Sequence, residues 1–214
     1  MAEECFDDPP GTELFPEEEA HIDRAVDKRR REFTTVRRCA RLALGRLGFA
    51  PAPLLPGLRG APGWPEGVVG SMTHCAGYRA AAVATGAKVL TIGIDAEPAE
   101  PLPAGGVLHS VTSELERARL AEYAAAHPEI AWDRLLFSAK EAVYKAWFPL
   151  TRRWLGFEEA DVAFDPEGGT FTARLLVADR PVDGFTGRWA VAKGIAVTAI
   201  AVPADGSAAR HPNP

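Results

Sequence analysis

Apolar residues at spacings of three, four and seven mark the first long element of this chain. Ile22, Val26, Phe33, Val36, Ala40, Ala43, Leu44 and Leu47 fall on one stripe, which predicts a helix stopped by Gly48. The next stretch, APAPLLPGLRGAPGWPE at 50–66, is broken by five prolines from Pro51 to Pro65 and reads as a surface loop. Beyond it, Val68 to Ala84 reads as a loop entering a strand at Tyr78–Ala84. A turn at Thr85–Lys88 then leads to a second strand, Val89–Asp95, so the simplest expectation is a hairpin. Proline and glycine at Pro98–Gly106 precede a helical region. Ser113 caps a helix to Ala126, and a second helix runs from Ile130 to Trp147. Strands are expected at Asp161–Asp165, Thr170–Ala178, Gly187–Ala192 and Ile195–Val202, and residues 203–214 read as a disordered tail.

These elements form two half-units, each a helix followed by strand hairpins, although no alignable repeat is visible. The expectation is an α+β fold of two pseudo-symmetric lobes, residues 1–104 and 105–202, with a ligand in the cleft between them.

Composition narrows the class. The 214 residues are 47% apolar and 25% charged, enough for a good core. The acidic start MAEECFDDPP lacks a signal-peptide pattern, and no apolar run approaches the ~18 residues of a membrane span. The reading is therefore cytoplasmic, with no membrane partner. Cys5, Cys39 and Cys75 show no CxxC spacing and read as reduced thiols.

Net charge is −5, yet Lys28 to Arg41 carries seven cations against the single acid Glu32. Such a stripe suits a solvated helix face, a nucleic acid or a small multiply phosphorylated ligand. The acidic total and the absence of any nucleic-acid motif weigh against nucleic acid.

Candidate chemistry sits in three short segments. In GIDAE, Asp95 and Glu97 are two apart on a strand and point to the same side, so they either meet solvent at the strand end or hold a cation. In FSAKEAVYKAW, Glu141 and Lys145 have the i, i+4 spacing of an ion pair, but their apolar neighbours favour partly buried charges matched to a ligand. In SMTHCAGYR, Ser71, His74 and Cys75 are too close in sequence for a nucleophile dyad, and Ser71 with His74 suits phosphate contact better.

In this order the three segments resemble the 4'-phosphopantetheinyl transferases of the surfactin-synthetase-activating type. That family carries a Ser and His motif, a Gly-Ile-Asp-x-Glu strand and a Trp-x-x-Lys-Glu-Ala-x-x-x-Lys helix; here Phe137 stands for the tryptophan. The segment FPLTRRWLGFEEADVAF resembles the actinobacterial branch, and the likeness covers residues 15 to 202. In relatives the Pro-rich loop carries a lysine that touches coenzyme A; this chain has Pro56 there, with Arg59 the nearest cation.

The resemblance implies a monomer that binds coenzyme A between two lobes. It implies that Arg29 and Arg37 bind the phosphate of the adenosine ribose, with Ser71 and His74 contacting phosphate. Asp95, Glu97 and Glu141 would coordinate Mg2+, or Mn2+, while Lys140 and Lys145 neutralise the phosphates and Glu141 acts as base. The reaction implied transfers phosphopantetheine to a serine of apo acyl carrier and peptidyl carrier proteins of polyketide, nonribosomal peptide, siderophore or fatty acid synthesis. Two alternatives stand beside it: a non-catalytic anion or nucleotide-binding module, and another magnesium-dependent phosphoryl-transfer enzyme, for which no P-loop is present.

Overall fold

The computed structural model describes residues 1–103 and 106–205. Its elements run β1 (Ala2–Cys5), α1 (Pro16–Glu19), α2 (Asp27–Arg46), β2 (Val68–Cys75), β3 (Tyr78–Thr85) and β4 (Val89–Pro98). They continue with α3 (Val107–Val111), α4 (Glu114–Ala126), α5 (Trp132–Thr151), β5 (Ala160–Asp165), β6 (Thr170–Leu175), β7 (Gly184–Ala192) and β8 (Ile195–Pro203). The expected basic helix begins five residues late, because 20–26 form turns before Asp27 opens α2. It ends where expected: Gly48 takes φ 88° and the Phe49 N–H bonds the Leu44 carbonyl. The tail lies outside the described residues from 206 onward. Among the described residues, no helix is long and apolar enough to cross a membrane.

The strands form two antiparallel sheets, in the orders β1-β3-β2 and β4-β8-β7-β6-β5. The expected hairpin between Tyr78–Ala84 and Val89–Asp95 does not form. Instead β3 pairs with β2 across Ala76 and Gly77, and β4 pairs with β8, setting Asp95 opposite Thr198 and Glu97 opposite Ala196. The turn at Thr85–Lys88 is present, with Lys88 N–H bonded to Thr85, but it carries the chain from one sheet to the other. The physical reason lies in β4 itself. Residues 91–96 are all buried, the pattern of a strand covered on both faces and not of a hairpin arm half in water. A further strand, β1, was not expected; it borders β3, and the Met1 ammonium donates to the Val83 carbonyl at 2.7 Å.

Side chains divide β4 and β2 between layers. Ile92, Ile94 and Ala96 pack with Ala80, Tyr78 and Ile195 between the two sheets. On the other face of β4 lies α5: the Thr91 hydroxyl donates to the Ala146 carbonyl at 2.8 Å, and Gly93 sits against Ala142 and Ala146. The opposite face of the small sheet, with Ala81 and Val83, packs on Cys39, Ala40, Ala43 and Leu44 of α2. Ser71 and Thr73 of β2 accept from the N–H groups of Ile94 and Ala96, at 3.1 and 3.0 Å. Side-chain hydroxyls therefore take the place of a backbone ladder where the sheets meet.

Two buried glutamates brace the helices. Glu18, 0% exposed, accepts from the N–H groups of Phe15 and Leu54 and from the Arg41 guanidinium of α2. Glu116, 1% exposed, accepts from the N–H groups of Ser113 and Val162 and from the Lys140 ammonium of α5. Each satisfies an orphan N–H at a helix start, a cation one long helix away and a distant strand or loop.

Candidate active site

Gly93 decides where the charged residues of α5 fall. A Cβ there would lie 2.0 Å from the Ala142 carbonyl oxygen, so only glycine lets α5 lie this close on β4. With Ala142 and Ala146 seated on the strand, Glu141 and Lys145 are each rotated about 100° around the helix, and Lys145 reaches the Asp95 end of β4. Its ammonium donates to Asp95 Oδ1 at 2.7 Å and to the Ile94 carbonyl at 3.1 Å.

Asp95 is 5% exposed, and Oδ1 also accepts from the Thr73 hydroxyl at 3.2 Å. Its second oxygen, Oδ2, is buried with no hydrogen-bond partner. Glu97 is held at 3.0 Å by Arg134 of α5. Burial raises the Glu97 pKa, with the Asp95 charge adding to it and Arg134 opposing. Burial likewise raises the pKa of Glu141; Lys145 opposes, while Asp95 and Glu97 add to it. Three carboxylates thus share one low-dielectric corner with a single ammonium aimed into it.

On the α2 side of β2, His74 Nε2 lies 2.6 Å from Arg29 Nη1 and Nδ1 lies 3.6 Å from Glu32 Oε2. Burial lowers the His74 pKa and the Arg29 charge lowers it further. A guanidinium can only donate, so Nε2 accepts and the ring proton sits on Nδ1.

The structure brings Asp95, Glu97, Glu141 and Lys145 together and sets His74 with Arg29 close enough for Lys145 to act on the imidazole. Three expected residues are engaged elsewhere. Ser71 is three residues from His74 and so faces the other side of β2, tied to Ile94. Arg37 is 5% exposed, donates to the Leu54 carbonyl and faces Glu18, and burial lowers its pKa to about 10. Lys140 is 3% exposed and donates to Glu116 and to the Phe157 carbonyl at 2.8 and 2.7 Å. One helix position separates Lys140 from Glu141, and that rotation takes it to α4 and away from the carboxylates. Sequence reasoning missed Thr73, Arg134 and Glu32. Arg134 was within reach of the periodicity, since it lies seven residues before Glu141 and eleven before Lys145, on the same helical face.

Clustered carboxylates beside a lysine, with an arginine and histidine across the same corner, define a site for an anionic ligand of the phosphate kind held with a cation. Comparison with known proteins agrees. Residues 17–84 match the 4'-phosphopantetheinyl transferase N-terminal domain, and 91–197 match the 4'-phosphopantetheinyl transferase superfamily. The chain is 61% identical over 209 residues to the 4'-phosphopantetheinyl transferase Svp of Streptomyces mobaraensis, covering 95% of this chain and 85% of that one. It is 50% identical over 206 residues to PptT of Mycobacterium tuberculosis (92% and 89% covered). Identity to Npt of Nocardia iowensis is 51% over 211 residues (92% and 93%). The chain belongs to the 4'-phosphopantetheinyl transferase superfamily.

Proposed function

We propose that this protein transfers the 4'-phosphopantetheine of coenzyme A to a serine of apo acyl carrier and peptidyl carrier proteins, releasing adenosine 3',5'-bisphosphate. The observation that carries the reading is the convergence of Asp95, Glu97, Glu141 and Lys145 on one corner, with Asp95 Oδ2 buried and unpartnered.

Among the described residues, no three His, Cys, Asp or Glu side chains are gathered closely enough to form a complete metal cage. Magnesium does not require one, since it uses one or two carboxylates and completes its shell with water and substrate phosphate. The unpartnered Asp95 oxygen and the raised pKa values of Glu97 and Glu141 fit a cation that would relieve all three. Asp95 with Glu97 or Glu141 would hold the ion, the remaining carboxylate acting through its charge, and the ion when bound would supply electrostatic stabilisation to charge developing on the pyrophosphate.

The chain's own groups do the rest. Lys145 holds phosphate oxygens from the helix side, and Arg29 with His74 holds a coenzyme A phosphate from the α2 side. Glu141 accepts the proton of the carrier serine as its oxygen bonds to the phosphorus next to pantetheine and the bond to the adenosine bisphosphate breaks. An apolar cleft of about 200 Å³ beside Glu141, walled by Tyr144, Trp154, Leu155 and Phe157, gives the uncharged arm a surface to lie on. Arg37 and Lys140 serve as braces for the loop at Leu54 and for α4. The proposed setting is the cytoplasm, and the proposed state a monomer; free Cys5, Cys39 and Cys75 fit a reducing compartment.

Intact-mass measurement of apo carriers, incubated with the protein, coenzyme A and magnesium, tests the reading. A gain of one phosphopantetheine, absent from a carrier lacking its serine and from a chelated sample, is the expected result. Coenzyme A binding with no gain on a broad carrier panel would instead indicate a binding module.

The metal assignment has its own readout. A carboxyl with a raised folded pKa stabilises the fold below its unfolded pKa, and that contribution is lost as pH rises through the folded value. Glu97 and Glu141 are such groups, so a cation that favours their ionised forms stabilises most at high pH. Magnesium is expected to raise the melting temperature more at about pH 8 than at about pH 5. In Asp95→Ala this magnesium response should be lost; an unchanged response would remove Asp95 from the ligand set.

A further inference from the structure

Behind His74 runs a chain of charged groups that the transfer reaction does not use directly. Glu32 stands beside the imidazole with its side chain 10% accessible, Oε2 toward His74 Nδ1 at 3.6 Å and Oε1 toward Arg79 Nη2 at 3.9 Å. Arg79 of β3 is nearer Asp8, at 2.9 Å to Oδ2 and 3.2 Å to Oδ1, and also donates to the Tyr78 carbonyl at 2.9 Å. Asp8 is fixed in turn by the Thr35 hydroxyl at 2.7 Å. Asp8 precedes residues 17–84, the span matched by the N-terminal-domain model.

Distance decides how these charges divide. Asp8 takes the close, two-point contact with Arg79, so the guanidinium is largely committed there; Glu32 Oε1 also faces the solvent-exposed Lys28 ammonium at 3.9 Å, and Oε2 is the oxygen turned to the imidazole. The other charges facing His74 are all cations: Arg29 on α2, Arg79 on β3 and Lys145 on α5. Burial, together with Arg29, which donates to Nε2, disfavours the imidazolium, and Arg29 is itself solvent-exposed.

We propose that Glu32 is a positioning residue that makes coenzyme A binding take up a proton at His74, an inference that rests on the phosphate contact assigned above. A phosphate draws the Arg29 guanidinium to its own oxygens and leaves Nε2 without a donor. A proton from solvent then occupies Nε2 and is shared with the phosphate, while the Nδ1 proton faces Glu32. Two anions flank the imidazolium, which offsets the three cations around it. On release of the ligand the proton returns to solvent and Arg29 returns to Nε2.

Calorimetric titration of the full chain with coenzyme A, in two buffers of different ionisation enthalpy near pH 7.5, counts the protons taken up. Wild type is expected to take up about half a proton or more per ligand. Glu32→Gln should lose most of that uptake and bind several-fold more weakly, and His74→Gln should lose it entirely. Should Glu32→Gln not fold, Glu32→Asp, which keeps the charge but draws it back from Nδ1, takes its place and is expected to reduce the uptake. Binding by wild type without proton uptake, or undiminished uptake in either folded variant, overturns the inference and leaves the transferase reading standing. Absence of any coenzyme A binding would overturn both.

Discussion

Replacement of Glu141 by glutamine is expected to lower turnover by about 10²- to 10⁴-fold, the usual contribution of a positioned base, with the KM for coenzyme A changed only a few-fold. Glutamine keeps the shape and one oxygen, so the corner beside Lys145 and Asp95 stays filled. What it loses is the capacity to take the serine proton. The pH profile separates this role from a merely structural one. A base acts when deprotonated, so activity falls as pH drops through its pKa. Burial, with Asp95 and Glu97, raises the pKa that sets this limb, while Lys145 and a bound cation oppose the rise. The variant should lose the limb together with the rate. Near-wild-type turnover from a folded Glu141→Gln protein would dismiss Glu141 as the base.

Among the described glycines, Gly93→Ala is expected to be the most damaging alanine substitution. The new Cβ would meet the Ala142 carbonyl oxygen at 2.0 Å and the Ala146 nitrogen at 2.8 Å, both backbone atoms of a helix that is buried on most of its length. Neither can swing aside as a flexible side chain would, so α5 must lift from β4 at a cost of about 3 kcal/mol, the upper part of the overpacking range. The displacement also carries Glu141 and Lys145 away from Asp95. Activity should therefore fall further than the fraction unfolded accounts for. Gly45→Ala provides the contrast, since nothing lies within 4 Å of a Cβ at this position in the last turn of α2. There alanine should stabilise by about 0.5 kcal/mol or less, a fraction of the helix-interior propensity difference because the last turn is only partly constrained. Urea denaturation of the two variants gives the comparison directly, and equal midpoints would contradict the close-approach argument.

Elements that depend on local pattern were legible from the sequence. The Ser113 cap, α4 and the strands β5 to β8 were expected within a few residues of where they lie, because period and capping chemistry are written in adjacent residues. Strand partners were not. Nothing near Val89–Pro98 says that its partner is Ile195–Pro203, about a hundred residues on, and the uninterrupted burial of 91–96 was the one local hint. The site divided in the same way. Residue types and order in GIDAE and KEAVYK pointed to Asp95, Glu97, Glu141 and Lys145. The roles of Lys140 and Arg37 turned on where Glu116 and Glu18 come to rest, which is set by packing of distant helices. Ser71 was misgrouped with His74 because the segment was read as a loop; as strand β2, alternation alone sends them to opposite faces.

Glu18 and Glu116 are locked into the fold in matching ways. Glu18 reaches a cation 23 residues on and Glu116 one 24 residues on, and each also takes an N–H three residues before it. A charge this deep cannot be exchanged alone, because its abandoned partner would be left ionised out of water at a cost of about 3 to 5 kcal/mol. Such a lock changes only by several concerted substitutions. Neither half of the chain can therefore lose its glutamate without releasing a helix start, a long helix and a distant segment together.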